Sequence, residues 1–185
     1  MEREKIIAII TGPSAVGKTT IAKALLKNIK NFKPAVTYTT RQKRDWQTED
    51  KIMNYTDVKS FRQMIDNDEF VEWAQVYDNF YGTHKPSIDK ILEKHNVLLN
   101  IDVQGTKIIK KKIPKCITIF ILPEDIEDIR QRLAERPMPE DTKKKRLVTA
   151  EEEIAQSKDF DYQIVNYNGK VEETIEKIAN ILKHY

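Results

Sequence analysis

Cysteine and glycine are scarce: one cysteine and five glycines in 185 residues. A single cysteine excludes an internal disulfide and a cysteine-type zinc site. Cys116 lies in the apolar run Cys116-Ile117-Thr118-Ile119-Phe120-Ile121-Leu122 and reads as a core thiol. No apolar run approaches the ~20 residues of a membrane span. Charge of one sign is also lacking. The 32 basic and 29 acidic side chains leave a net charge of +3, which demands neither nucleic acid nor a membrane surface as partner. The amino end, Met1 to Lys5, carries no cleavage-site pattern, so a cytoplasmic location is expected. There is no internal repeat and no low-complexity tract. The length fits one domain carrying smaller insertions.

What is present alternates. Ile6-Ile7-Ala8-Ile9-Ile10 is a short, continuous, β-branched run, as expected of a strand buried on both faces of a parallel sheet. Similar runs occur at Val97–Ile101, Ile117–Leu122 and Tyr162–Asn166, with another extended stretch at Ala35–Thr40. Apolar residues at helical spacing separate them: Ile21, Ala24 and Leu25; Ile126, Ile129 and Leu133; Leu147, Ala150 and Ile154; Val171, Ile175, Ile178 and Leu182. This order predicts an α/β fold with a mostly parallel central sheet flanked by helices. The stretch from Thr37 to His95 breaks the rhythm. It is more polar, carries Trp46, Tyr55, Trp73, Tyr77, Phe80 and Tyr81, and reads as an inserted subdomain. The basic runs Lys110–Lys112 and Lys143–Arg146 sit on predicted helices and read as solvated faces.

Between the first strand and the first helix stands Gly12-Pro13-Ser14-Ala15-Val16-Gly17-Lys18-Thr19, a match to G-x-x-x-x-G-K-[ST]. A polyphosphate is a dense anion, and a loop whose amide N–H groups point inward can wrap it. Glycine permits the close approach and the positive φ, and the following helix presents its positive end. Lys18 is then placed to reach the β- and γ-oxygens, and the Thr19 hydroxyl to hold Mg²⁺. The motif implies binding of a nucleoside triphosphate and leaves the reaction open. No Asn-Lys-x-Asp base-recognition loop of a GTPase is present. A small-molecule kinase needs arginines around the acceptor and the transferring phosphoryl group. Arg41 and Arg44 follow the second extended stretch, and Arg132, Arg136 and Arg146 come later.

From the P-loop onward the chain resembles the guanylate kinase family along nearly its whole length. The matching stretches include Gly12–Thr20, Thr37-Tyr38-Thr39-Thr40-Arg41, Phe70-Val71-Glu72-Trp73-Ala74 and Asn79-Phe80-Tyr81-Gly82-Thr83. Leu99–Gly105, Ile119–Pro123, Arg132–Arg136, Arg146-Leu147 and Asp161–Asn166 follow in the family's order. The resemblance implies a P-loop NTPase fold with an NMP-binding insertion and a helical lid. The boundaries expected are core 1–36, 96–130 and 158–185, insertion 37–95 and lid 131–157. It implies Mg²⁺-dependent transfer of the ATP γ-phosphoryl group to GMP or dGMP by a monomer or homodimer. Gly12, Pro13, Ser14, Ala15, Val16, Gly17, Lys18, Thr19 and Thr20 would hold ATP, with Asn166 near adenine. Arg41 and Arg44, helped by Tyr55 and Tyr81, would grip the GMP phosphate, and Thr37 would line the guanine end. Arg132, Arg136 and Arg146 would close over ATP.

Base choice also has a physical argument. Guanine offers N1–H and N2–H₂ donors beside an O6 acceptor, so carboxylates at that edge suit guanine and repel adenine N1. The family places such acceptors at Glu72 and Asp102, with the Thr83 hydroxyl toward O6. The chain departs from the family pattern at several points. Ala15 replaces a loop glycine, and no proline precedes Arg44. The segment Asp45–Tyr55 has no glycine, Asn100 replaces a carboxylate, and the lid reads Arg136-Pro137-Met138-Pro139. Two other readings share these motifs: a kinase of the same fold with a different acceptor, and a non-catalytic binding module. Scaffold modules usually lose the P-loop lysine, which this chain keeps at Lys18.

Overall fold

In the computed structural model, which describes residues 4–43 and 53–185, β1 (Ile7–Thr11) lies at the centre of a five-stranded sheet. Its neighbours are β7 (Asn96–Asn100) and β8 (Ile117–Pro123), with β2 (Phe32–Pro34) and β9 (Tyr162–Asn166) outside. Every pairing in this sheet is parallel. Side chains alternate along β1, so its unbroken apolar run serves two cores at once. Ala8 and Ile10 pack with Ile21 and Leu25 of α1 (Lys18–Asn28) and Ile178 of α7 (Val171–Lys183). Ile7 and Ile9 pack with Ile109 of α4 (Val103–Lys112) and Ile88 of α3 (Lys85–Leu92). Helix α3 therefore rests on the core sheet although it falls within residues 37–95.

A second sheet, in the order β4-β3-β6-β5, comprises β3 (Thr37–Thr39), β4 (Met53–Tyr55), β5 (Phe70–Val76) and β6 (Asn79–His84). The extended stretch at Ala35–Thr40 thus feeds this smaller sheet. The edge strand of the core is instead Phe32–Pro34, too short to register as an apolar run. Helix α2 (Val58–Asp66), capped by the Asp57 side chain on the Ser60 N–H, covers one face. Phe61 of α2 stacks on Phe70 and Phe80 with ring centroids 4.6 and 5.6 Å apart, and Tyr38 and Trp73 pack at the edges. A Cβ at Gly82 would stand 2.8 Å from the Phe70 ring. Phe61, Phe70 and Phe80, with Tyr38 against Phe70, therefore form a small core of the insertion's own. Helices α5 (Ile126–Ala134) and α6 (Glu140–Ala155) pack on one another beside the P-loop, and Ala150 of α6 is buried. No helix among the described residues is long and apolar enough to cross a membrane.

Candidate nucleotide and acceptor sites

The loop after β1 meets its backbone demands in three residues. Gly12 has φ 134° and Gly17 φ 104°. A Cβ on Gly12 would collide with the Ile121 carbonyl, so the first glycine is required by close packing as well as by φ. Ala15 also sits at positive φ, 67°, where an L-residue is strained by about 1 kcal/mol. Lys18 folds over the loop, donating to the Gly12 and Pro13 carbonyls at 2.6 and 2.8 Å. Burial lowers its ammonium to about 8, against the attraction of Glu153 and Asp102.

Around the loop stand the groups that brace it. Arg132 of α5 donates through Nη1 to the Ala15 carbonyl at 3.1 Å and through Nη2 to Asn168. Asn166 is only 4% exposed. Its amide donates to the Val16 carbonyl at 2.9 Å, and its carbonyl accepts from the Thr174 hydroxyl at 3.1 Å. Both of its polar ends are occupied beneath the loop, so the structure shows it supporting the loop. The Thr19 hydroxyl is exposed and accepts from Asn100 Nδ2 at 3.3 Å. Thr20 is exposed and Ser14 half-buried. Arg136 lies close enough to Lys18 and Arg146 for their like charges to act on it. Burial, then Arg146, hold its guanidinium below the usual arginine value.

The acceptor side is built by strand register. Thr37 pairs with Thr83, and Thr83 with Glu72; Thr39 pairs with Tyr81 and with Tyr55. Opposed residues share a face, so Thr37, Tyr55, Glu72, Tyr81 and Thr83 all project from the face opposite α2. Their separation in sequence hid this; the register creates it. Arg41, at the end of β3, turns onto Tyr55, its guanidinium carbon 5.7 Å from the ring centre and Nη2 3.5 Å from the phenol oxygen. Arg44 lies outside the described residues.

Glu72 is 4% exposed and accepts the Thr83 hydroxyl at 2.5 Å. Burial pushes its carboxyl up to about 7, opposed by that hydrogen bond and reinforced by the charge of Asp102. Thr83 has a single hydroxyl hydrogen, and here it is committed to Glu72. The Gly105 backbone presses on Glu72 from α4: a Cβ there would lie 2.8 Å from Oε2. Asp102 caps α4, accepting from the Gly105 N–H at 2.9 Å. Its charge acts on Glu72 on one side and on Lys18 and Glu153 on the other. Asp102 therefore stands within electrostatic reach of both the P-loop lysine and the buried Glu72.

Sequence reasoning gave no role to Gly105 or Glu153. Glu153 lies seven residues after Arg146, on the same helical face, and burial raises its carboxyl to about 7 against the pull of Lys18. That spacing was the available signal. For Gly105 the signal was its place at the end of the Asn100–Gly105 stretch. Among the described residues no cluster of three or more His, Cys, Asp or Glu side chains could hold a metal ion. One hydroxyl with room beside it suits Mg²⁺, which keeps several waters and binds largely through substrate phosphates.

A charged loop at the carboxyl end of a central parallel strand, facing a carboxylate-lined polar sheet, agrees with the comparisons to known proteins. The family model described as "Guanylate kinase" matches residues 4–185. The guanylate kinase of Prochlorococcus marinus (strain MIT 9312) is 38% identical over 185 residues, covering 99% of this chain and all of that protein. That of Caldanaerobacter subterraneus subsp. tengcongensis is 38% identical over 184 residues, covering 98% and 88%. The crystal structure of guanylate kinase from Anaplasma phagocytophilum superposes with a TM-score of 0.81 at 30% identity, covering 100% of this chain and 87% of that one. Fold, site and relatives agree, and the chain belongs to the guanylate kinase family.

Proposed function

We propose that this chain transfers the γ-phosphoryl group of ATP to GMP or dGMP, giving ADP and the guanosine diphosphate. The observation that carries this reading is Asp102, whose charge reaches both the P-loop lysine and the buried Glu72–Thr83 pair. It joins a triphosphate cradle to a guanine-selective edge. An α-phosphate oxygen of GMP attacks the γ-phosphorus in line, the bridging P–O bond to the β-phosphate breaks, and ADP leaves with that oxygen. The acceptor oxygen is already anionic, so no general base is needed.

Catalysis is then positioning and charge neutralisation. Lys18, released from the Gly12 and Pro13 carbonyls, turns its N–H groups to the β- and γ-oxygens. Arg132, Arg136 and Arg146 bring positive charge from the lid, and Arg41 with Tyr55 and Tyr81 holds the GMP phosphate. Glu72 and Asp102 accept the guanine N1–H and N2–H₂ hydrogens. Thr83 orients Glu72, and Thr37 lines the same face. Asn166 braces the loop from below. Thr19 is the residue that would hold Mg²⁺, which supplies neutralisation of the β- and γ-oxygens. Lid closure excludes water that would otherwise hydrolyse ATP.

The test is a steady-state assay with MgATP against GMP, dGMP, AMP, CMP, UMP and dTMP. GMP and dGMP should lead by several orders of magnitude, because a mismatched base leaves buried acceptors unpaired. Greater turnover with AMP or dTMP would overturn the guanine assignment. Absence of transfer to any acceptor, with an ATP analogue still bound, would mark a binding module.

A further inference from the structure

The turn joining β5 and β6 holds an aromatic residue where the backbone disfavours one. Tyr77 has φ 55°, in the left-handed region that glycine and asparagine occupy at least cost in tight hairpin turns. A bulky residue kept there signals a requirement on its side chain. The ring lies beneath Arg146 of α6, whose guanidinium carbon is 5.0 Å from the ring centre. Thr149, one turn further along the same helix face, stands beside the Tyr77 hydroxyl. Arg146 Nε is buried with no hydrogen-bond partner. Among the described residues no ion pair involves this guanidinium.

We propose that Tyr77 is a positioning residue: it reaches from the acceptor subdomain to the lid and holds Arg146 over the transfer site by stacking. A ring differs from a carboxylate in this role. It fixes the guanidinium plane through the cation–π attraction while leaving the positive charge and the N–H donors at the free edge unspent. The nearby like charge of Arg136 would otherwise push Arg146 away, and the ring face offsets that push. Because the ring belongs to the β5–β6 hairpin and the guanidinium to the lid, engagement of one half-site favours closure of the other.

This inference rests on the reading of Arg146 as a lid arginine acting in transfer, and the experiment separates the two. Tyr77→Asn relaxes the turn while removing the ring. It should melt no lower than the wild type, yet lose roughly tenfold in kcat, with KM for ATP and for GMP each changed by less than about threefold. Tyr77→Phe keeps the ring and should restore kcat to within about twofold of the wild type. The double variant Arg146→Ala/Tyr77→Asn should be no slower than Arg146→Ala alone. Wild-type kcat in Tyr77→Asn beside an impaired Arg146→Ala would overturn the positioning role and leave the lid-arginine reading standing. Normal kcat in Arg146→Ala would overturn that reading and this inference with it. Equal impairment of Tyr77→Phe and Tyr77→Asn, or a Tyr77→Asn loss that follows a lowered melting temperature, would also overturn the proposal.

Discussion

Replacing Glu72 by glutamine separates stability from specificity. In the folded protein this carboxyl titrates near 7 rather than at its ordinary 4.5, chiefly because it is buried. Below pH 4.5 it is protonated in both folded and unfolded chains and costs nothing. Between 4.5 and about 7 the unfolded chain gives up the proton and the folded one keeps it. The folded state then binds more protons, and stability falls as pH rises. Above about 7 the penalty is complete, on the order of 3 kcal/mol from this displacement. Glutamine has no such titration, and its amide oxygen can still accept from Thr83. Glu72→Gln should therefore be more stable than the wild type at pH 8, by about 1–3 kcal/mol, with the advantage shrinking toward pH 5. The acceptor site pays for that gain. One oxygen becomes an N–H₂ donor facing guanine donors, and a charge-assisted hydrogen bond worth about 1.5–3 kcal/mol is lost. The expected rise in KM for GMP is about 10–100-fold, with a collapsed GMP-to-AMP preference. Urea melts at pH 5.5 and 8, with steady-state rates on both acceptors, measure each half. An unchanged GMP-to-AMP preference removes Glu72 from base recognition. A variant less stable than the wild type at pH 8 refutes the burial argument.

Three further substitutions test other parts of the site. Lys18→Ala should abolish transfer while leaving GMP affinity within about twofold, measured by calorimetry beside the rate assay; near-normal kcat would contradict the loop's role. Gly105→Ala places a methyl 2.8 Å from Glu72 Oε2 and should raise KM for GMP by about tenfold while KM for ATP stays put. A loss shared equally by both substrates would point to general disruption of α4. Ala15→Gly relieves the residue at φ 67° and should raise stability by up to about 1 kcal/mol in thermal melts, less the added flexibility of the unfolded chain. Destabilisation beyond that entropy would show the left-handed geometry to be unstrained.

The donor half was largely legible in the sequence because its chemistry is local. A strand, a glycine-bounded loop and a helix follow one another within the segment Ile6–Asn28, and strand-loop-helix order places Lys18 and Thr19 with few long-range contacts. The α/β alternation was equally visible, since strands buried on both faces leave unbroken apolar runs. The acceptor half was legible by resemblance as a set of residues, but not as a geometry. Nothing local says that Tyr55, Tyr81 and Thr83 share a face with Glu72, because the pairing of β3 with β4 and β6 decides it. Nor does the sequence show that the Thr83 hydrogen goes to Glu72, or that Asn166 is spent beneath the loop. Tyr77 stacks under an arginine 69 positions away, and that contact exists only once the hairpin and the lid helix have packed. Sequence by itself determined which groups carry charge and where the backbone can turn. The tertiary structure decided which of those groups are dry and which face one another, and with them the raised carboxyl of Glu72 and the lowered ammonium of Lys18, because burial and proximity arise only when distant segments exclude water together.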